Sequence, residues 1–360
     1  MTKKRTRMMT STIMRTILWM GVICAVLTGT AAVGQVSHVI HISVDGLRGD
    51  FIESRVHEEP EKYPNFRRFV VEGATTFNAR TDYTHTNTLP NHTAMLTARP
   101  VLQPEGGPIT AHHGYVRNDD PKRRATLHNS GNKKLSYVPS VFDSVHDNGL
   151  STGLFASKSK FILFEKSYNA KNGARDRTGA KNGRDKIDRY VNIGEGKPLT
   201  AYFVEDMRKN KYNYSFVHDK RPDHGHEVGW GSPEWDETVQ GVDAFLGELF
   251  QLVETEPGLA GDTAIVLTAD HGGYKDDHGD AEDVRNYTIP VLVWGPGVKK
   301  GADLYDLNEG THVNPGKGRP DFNASPQPIR NGSTGNLALQ MLGLQPISGT
   351  DRYFKDVNVK

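Results

Sequence analysis

Hydrophobic and polar positions alternate along this chain in two distinct patterns. Five short apolar runs read as buried strands: HVIHISVDG (38–46), STGLFASKSK (151–160), YNYSFVHDK (212–220), DTAIVLTADHGG (262–273) and NYTIPVLVWGPG (286–297). Between them lie PNFRRFVVEG (64–73), VPSVFDSVHDNG (138–149), SPEWDETVQGVDAFLGELFQLVE (232–254) and TGNLALQMLG (334–343), which read as helices. The third of these repeats apolar residues at Trp235, Val239, Val242, Leu246, Leu249 and Phe250, the spacing of one buried helix face.

Strands alternating with helices predict an α/β fold with three α/β/α layers around a central, mainly parallel sheet. In such sheets ligands bind beyond the carboxyl ends of the strands. Three of the predicted strand ends carry Asp or His. Residues 165–195 differ: a near repeat, AKNGARD then AKNGRD, sits in a stretch with seven Lys/Arg and three Asp between Lys171 and Arg189. It reads as a solvated surface loop rather than a phosphate-gathering patch, and marks no domain boundary.

Composition narrows the class. With 36% hydrophobic and 24% charged residues, the chain can bury a core, which excludes disorder and collagen-like repeats. Five basic residues and no acid fall in the first 34 positions, followed within them by the apolar run Thr16–Thr28 and the small residues GTAAVG. That layout predicts a secretory signal over 1–34, cleaved after Gly34, and a single domain over 35–360, secreted or periplasmic. An apolar run of 13 is short for a membrane span, so none is expected in the mature chain. Removing the leader leaves 39 Lys/Arg against 43 Asp/Glu, a net charge of −4, which argues against nucleic acid as a structural partner. It also removes Cys24, the single cysteine, so any metal must be held by His, Asp or Glu.

Such residues recur in order. Asp45 closes the first strand; Thr88 opens TLPNH; Asp223, His224 and His226 lie in RPDHGH; Asp270 and His271 follow AIVLTA; His278 comes seven residues later. Carboxylate oxygen and imidazole nitrogen suit Zn²⁺, with Mn²⁺ or another divalent ion as alternatives. Five or six such ligands at strand ends are enough for two ions, and an ion pair about 4 Å apart stabilises both oxygens of a displacement at phosphorus. A hydroxyl held there becomes a usable nucleophile.

With these motifs the sequence resembles the alkaline phosphatase superfamily from about Val39 to Leu344. The match is nearest to its nucleotide pyrophosphatase/phosphodiesterase-like (type I phosphodiesterase) branch and to the threonine-nucleophile phosphatases. The resemblance implies a two-zinc site. In VDG, Asp45 would bind the first zinc, with Asp270 and His271 of TADHGG; Thr88 would be a further ligand of that ion and the nucleophile that becomes transiently phosphorylated. The second zinc would take Asp223 and His226, although RPDHGHEVGW is one residue shorter than the family pattern, leaving Asp219 as a substitute and His224 as a further participant. Its last ligand would be His278 in preference to His312. Asn118 of HHGYVRND matches an asparagine that donates to a phosphoryl oxygen, worth about 3 kcal/mol in comparable sites. ASKSKF places Lys158 and Lys160 where monoester-preferring members carry Lys-x-Arg.

The reading is a phosphohydrolase acting on a small-molecule phosphate ester, of phosphodiesterase or pyrophosphatase type, through a phosphothreonine. A phosphomonoesterase is the first alternative, and an inactive metal-binding protein of the same fold the second. A sulfatase would need Cys or Ser in place of Thr88. Composition and motifs say nothing of the oligomeric state.

Overall fold

The computed structural model describes residues 35–176, 183–350 and 352–360. The expected leader, 1–34, lies outside the described residues, as does part of the basic stretch, 177–182. Among the described residues, eight strands form one sheet: β1 (His38–Val44), β2 (Ala74–Arg80), β3 (Thr152–Ala156), β4 (Arg189–Asn192), β5 (Tyr214–Asp219), β6 (Thr263–Thr268), β7 (Thr288–Trp294) and β8 (Ala302–Asp303), in the order β4-β3-β5-β1-β6-β7-β2-β8. β1, β3, β5 and β6 are buried along their whole length, as strands covered on both faces must be, and this explains their continuous apolar runs.

Pairing is mainly parallel. β1 lies between β5 and β6, parallel to both, and β3 and β4 extend the parallel side. β7 runs antiparallel to β6 and to β2, so the sheet is mixed. One set of helices packs together from Gly49–Glu58, Pro64–Glu72, Gly196–Asn210 and Pro233–Thr255, and another from Thr88–Thr97, Val141–His146 and Thr334–Met341. These are the two outer layers. The 233–255 helix starts where Ser232 accepts the Trp235 N–H at 3.1 Å and Pro233 occupies the first turn, where its missing N–H costs nothing. Among the described residues, no helix is long and apolar enough to cross a membrane.

The structure corrects the pattern in several places. β2, β4 and β8 carry too little apolar sequence to announce themselves: β2 reads ATTFNAR, β4 is half-exposed, and β8 has two residues. The run at 151–160 forms a strand only to Ala156, after which the chain turns into a helix. The basic stretch is not simply solvated. Lys186 is fully buried, its ammonium 2.9 Å from Asp147 and paired with Asp176, which also binds His146 Nδ1 at 2.8 Å.

Because β1, β3, β5, β6 and β2 all point the same way, their carboxyl ends meet at one edge. Asp45, Lys158, Asp270 and Thr88 each follow one of those ends, and Asp219 is the last residue of β5.

Candidate active site

Thr88 is the first residue of a ten-residue helix, Thr88–Thr97, every residue of which is buried. Pro90 fits in its first turn, where no intrahelical N–H is needed. His92 locks the helix to the sheet: Nδ1 bonds the Thr88 carbonyl at 2.7 Å and Nε2 bonds Ser43 Oγ of β1 at 2.8 Å. The Thr88 hydroxyl therefore sits at the positive end of the helix, where anionic oxygen is stabilised.

Around it, Asn118 Oδ1 accepts the Leu89 N–H at 3.0 Å and the Lys160 ammonium at 3.3 Å. The Lys158 ammonium reaches Thr88 Oγ1 at 3.3 Å, Asp45 Oδ2 at 2.6 Å and Asp223 Oδ2 at 2.7 Å. One ammonium thus gathers Thr88, Asp45 and Asp223, which come from three other stretches of sequence.

Two groups of possible metal ligands lie alongside. Asp45, Asp270 and His271 are fully buried with ligand atoms within 4.8 Å of one another, and half-buried Asp223, exposed His226 and buried His278 form a second group equally close together. His271 Nδ1 bonds the Gly272 carbonyl at 2.8 Å, which turns Nε2 inward, where it carries a proton in the imidazolium and a lone pair once that proton is lost. His278 Nδ1 bonds the Thr86 carbonyl at 2.7 Å in the same manner. The two rings stack with centroids 3.6 Å apart and join the groups. Asp45 Oδ1, Asp223 Oδ1, Asp270 Oδ2 and His271 Nε2 are buried without a hydrogen-bond partner. Buried polar atoms rarely stay unpaired, and three carboxylate oxygens with an imidazole nitrogen are the donor set of a borderline divalent cation. The residues fit a metal pair.

Glycine makes this approach possible. Gly46 has φ +73°, and a Cβ there would lie 2.9 Å from Asp223 Cα. Its N–H donates to Asp270 Oδ1 at 3.1 Å and its carbonyl accepts from Trp230 Nε1 at 2.9 Å, so one turn ties together the loops after β1, β5 and β6.

The remaining candidates separate clearly. Asp219 is bound by Arg221, whose Nε lies 2.9 Å from both carboxylate oxygens, and it belongs to neither group. His224 pairs with Glu227 at 3.0 Å on the surface. His312 bridges to Glu309 and Gln327, apart from both groups.

A family model for type I phosphodiesterase/nucleotide pyrophosphatase matches residues 39–281. The chain belongs to this family. It is a hydrolase acting on phosphate esters, with the α/β fold of the alkaline phosphatase superfamily. Its structure is similar to an inactive form of murine ectonucleotide pyrophosphatase/phosphodiesterase 5 in complex with AMP, at 16% identity and TM-score 0.56 over 87% of this chain and 96% of that one. The human protein of the same name aligns at 14% identity and TM-score 0.56, over 86% and 96%. A Vibrio parahaemolyticus protein of the alkaline phosphatase superfamily aligns at 13% and 0.51, over 86% and 67%. At these identities the likeness shows the fold.

Within this family hydrolase the site's charges are strongly perturbed. Burial, then the Asp45 carboxylate, push Asp270 up to about 7. Burial would depress the His271 imidazolium, but Asp270 and Asp45 outweigh it and raise it to about 9. For Asp45 and Asp223 burial also acts upward, yet Lys158 and neighbouring imidazoles prevail, holding Asp45 well below the carboxylate range and Asp223 at about 2. Burial disfavours the Lys158 ammonium less than Asp45, Asp223 and Asp270 favour it, so it stays charged. Carboxylates this close need cations, and Lys158 with protonated His271 supplies part of that charge.

Sequence reading missed His218. Its Nε2 lies 2.9 Å from Asp45 Oδ2, both fully buried, and its Nδ1 faces Ser157 Oγ at 3.2 Å. With His218 and Lys158 on Oδ2, Oδ1 is the oxygen turned toward His271, at 3.2 Å. The register that pairs His218 with Ser43, two residues before Asp45, is the only signal, and it needs the strand order.

Proposed function

We propose that this hydrolase cleaves phosphate esters by transferring the phosphoryl group to Thr88 and then from phosphothreonine to water, at a site holding two divalent cations, zinc by preference. The observation that carries this reading is the single Lys158 ammonium in contact with Thr88 Oγ1, Asp45 and Asp223 at once, which brings the hydroxyl beside both ligand groups. Asp45, Asp270 and His271 would hold one ion and Asp223, His226 and His278 the other. Bound there, the cations would lower the hydroxyl pKa and offset charge on the transferring group.

The chain's own groups do the positioning. Thr88 Oγ gives its proton to solvent and attacks phosphorus from the helix N-terminus, the bond to the ester oxygen breaks on the opposite side and that oxygen takes a proton from water, and a second water then attacks the phosphothreonine, releasing phosphate and returning the hydroxyl. Lys158 and Lys160 present positive charge and Asn118 an amide to the phosphoryl oxygens. Two ammonium groups favour a terminal, dianionic phosphoryl group, so we read a phosphate monoester as the better-seated substrate. Family membership favours the second reading, a diester or pyrophosphate. Export is part of the proposal, supported by the basic and apolar order of residues 1–34.

The test is Thr88→Ala. Turnover of aryl phosphate mono- and diesters should fall about a thousandfold or more while bound metal is retained, and acid-quenched wild type should carry phosphate on Thr88. Undiminished hydrolysis in the variant refutes the mechanism.

A further inference from the structure

A cavity of about 570 Å³ opens from the site at Lys158, Asp223 and His226. A substituent leaving an attacked phosphorus departs opposite the nucleophile, and this space adjoins the ligand group farther along the chain from Thr88. We propose that the cavity receives the departing part of the substrate and selects a hydroxyl-rich, non-aromatic group, which makes the enzyme a sugar- or polyol-phosphate hydrolase. This rests on the Thr88 reading above.

The lining carries the argument. No Phe, Tyr or Trp side chain lines the cavity among the described residues, and its planar groups are small and tethered, His224 to Glu227 at 3.0 Å, His226 to Asp223 at 3.1 Å and Arg221 to Asp219, so it offers a nucleobase or aryl group little stacking area. Two of its charged groups are already committed. Arg221 is bound to Asp219 and donates Nη1 to the Gly241 carbonyl at 2.6 Å, and Glu227 pairs with His224. The Arg221 wall is rigid, because the start of the 196–210 helix presses on it: a Cβ on Gly196 would lie 2.7 Å from Arg221 Cγ.

What remains is one acceptor and one donor, beside a Thr238 hydroxyl that donates to the Trp235 carbonyl at 2.7 Å and keeps its lone pairs to accept. Glu195 is exposed at the cavity, caps no helix N–H with its side chain, and has no ion pair among the described residues. The Lys220 ammonium likewise has none, while its backbone N–H is anchored to Ser157 Oγ at 2.9 Å. Thr238 stands across from them on the 233–255 helix. A charged substituent would pair with Glu195 or Lys220 and be repelled by the other. Neutral hydroxyls satisfy both, since each can donate to the carboxylate and accept from the ammonium.

The experiment compares glycerol 3-phosphate, glucose 6-phosphate, phenyl phosphate and AMP with the zinc-loaded full chain, and repeats the panel with Lys220→Ala and Glu195→Ala. We expect the first two substrates to give the higher kcat/KM in the wild type. In each variant the ratio of sugar to phenyl ester efficiency should fall roughly tenfold, the scale of a hydrogen bond to a charged group. Equal or better use of phenyl phosphate or AMP by wild type, or an unchanged ratio in both variants, overturns the sugar-phosphate assignment and leaves the Thr88 mechanism standing. No hydrolysis of any ester overturns the mechanism and this assignment with it.

Discussion

Replacing His218 by Ala removes the N–H donor that holds Asp45 Oδ2 at 2.9 Å inside a fully buried pair. A hydrogen bond to a charged group contributes about 1.5–3 kcal/mol, and the lower end applies here because Lys158 remains 2.6 Å from the same oxygen. The larger consequence is orientation. Freed from His218, the carboxylate can rotate so that Oδ1 no longer faces His271, and loss of such an outer partner typically costs 10- to 100-fold in metal affinity, roughly 1.4–2.8 kcal/mol. The ring also packs on Phe161 and His92, with centroids 4.3 and 4.9 Å away, so Ala leaves a cavity and lowers thermal stability. His218→Gln keeps an N–H at similar reach and separates the two effects. The assay is zinc affinity by chelator competition alongside thermal melting. Affinity should fall 10- to 100-fold in the Ala variant and recover to within about tenfold in the Gln variant. Wild-type affinity in His218→Ala, with only stability lost, would refute the orienting role and leave His218 as packing.

Three further outcomes follow from the same contacts. Gly46→Ala should cost about 1–2 kcal/mol of backbone strain at φ +73° and push Asp223 away, read as a lower melting temperature and loss of one metal per chain. With chelator present, stability should decline as pH rises from 6.5 to 9: His271 is raised to about 9, so the folded chain keeps a proton that the unfolded chain releases over that window. Melting curves across that range check it, and added zinc should reverse the slope. Lys186→Met should destabilise the protein by about 3–5 kcal/mol by leaving Asp176 buried without its ammonium, while kcat/KM of the folded fraction stays unchanged; denaturant titration and steady-state kinetics test the two halves.

The family relationship was already legible in short motifs. VDG, TLPNH and TADHGG name Asp45, Thr88, Asp270 and His271 because a ligand or nucleophile must stand just past a strand or at a helix start, and those local contexts are written in consecutive residues. The five apolar runs contain strands for the same reason, since side-chain period is a local property. The motif around Thr88 stood out in the sequence, but the strand that precedes it, β2, did not, because ATTFNAR is stabilised by its neighbours more than by its own apolar content.

What only the folded chain decided is which distant groups meet. Strand order places β5 beside β1, and from that one fact come His218 on Asp45 and Asp223 against Gly46. The Lys158 ammonium on Thr88 depends in turn on β3 lying next to β5. Periodicity and motif spacing carry no record of such meetings, because each is set by pairing between strands far apart in the chain.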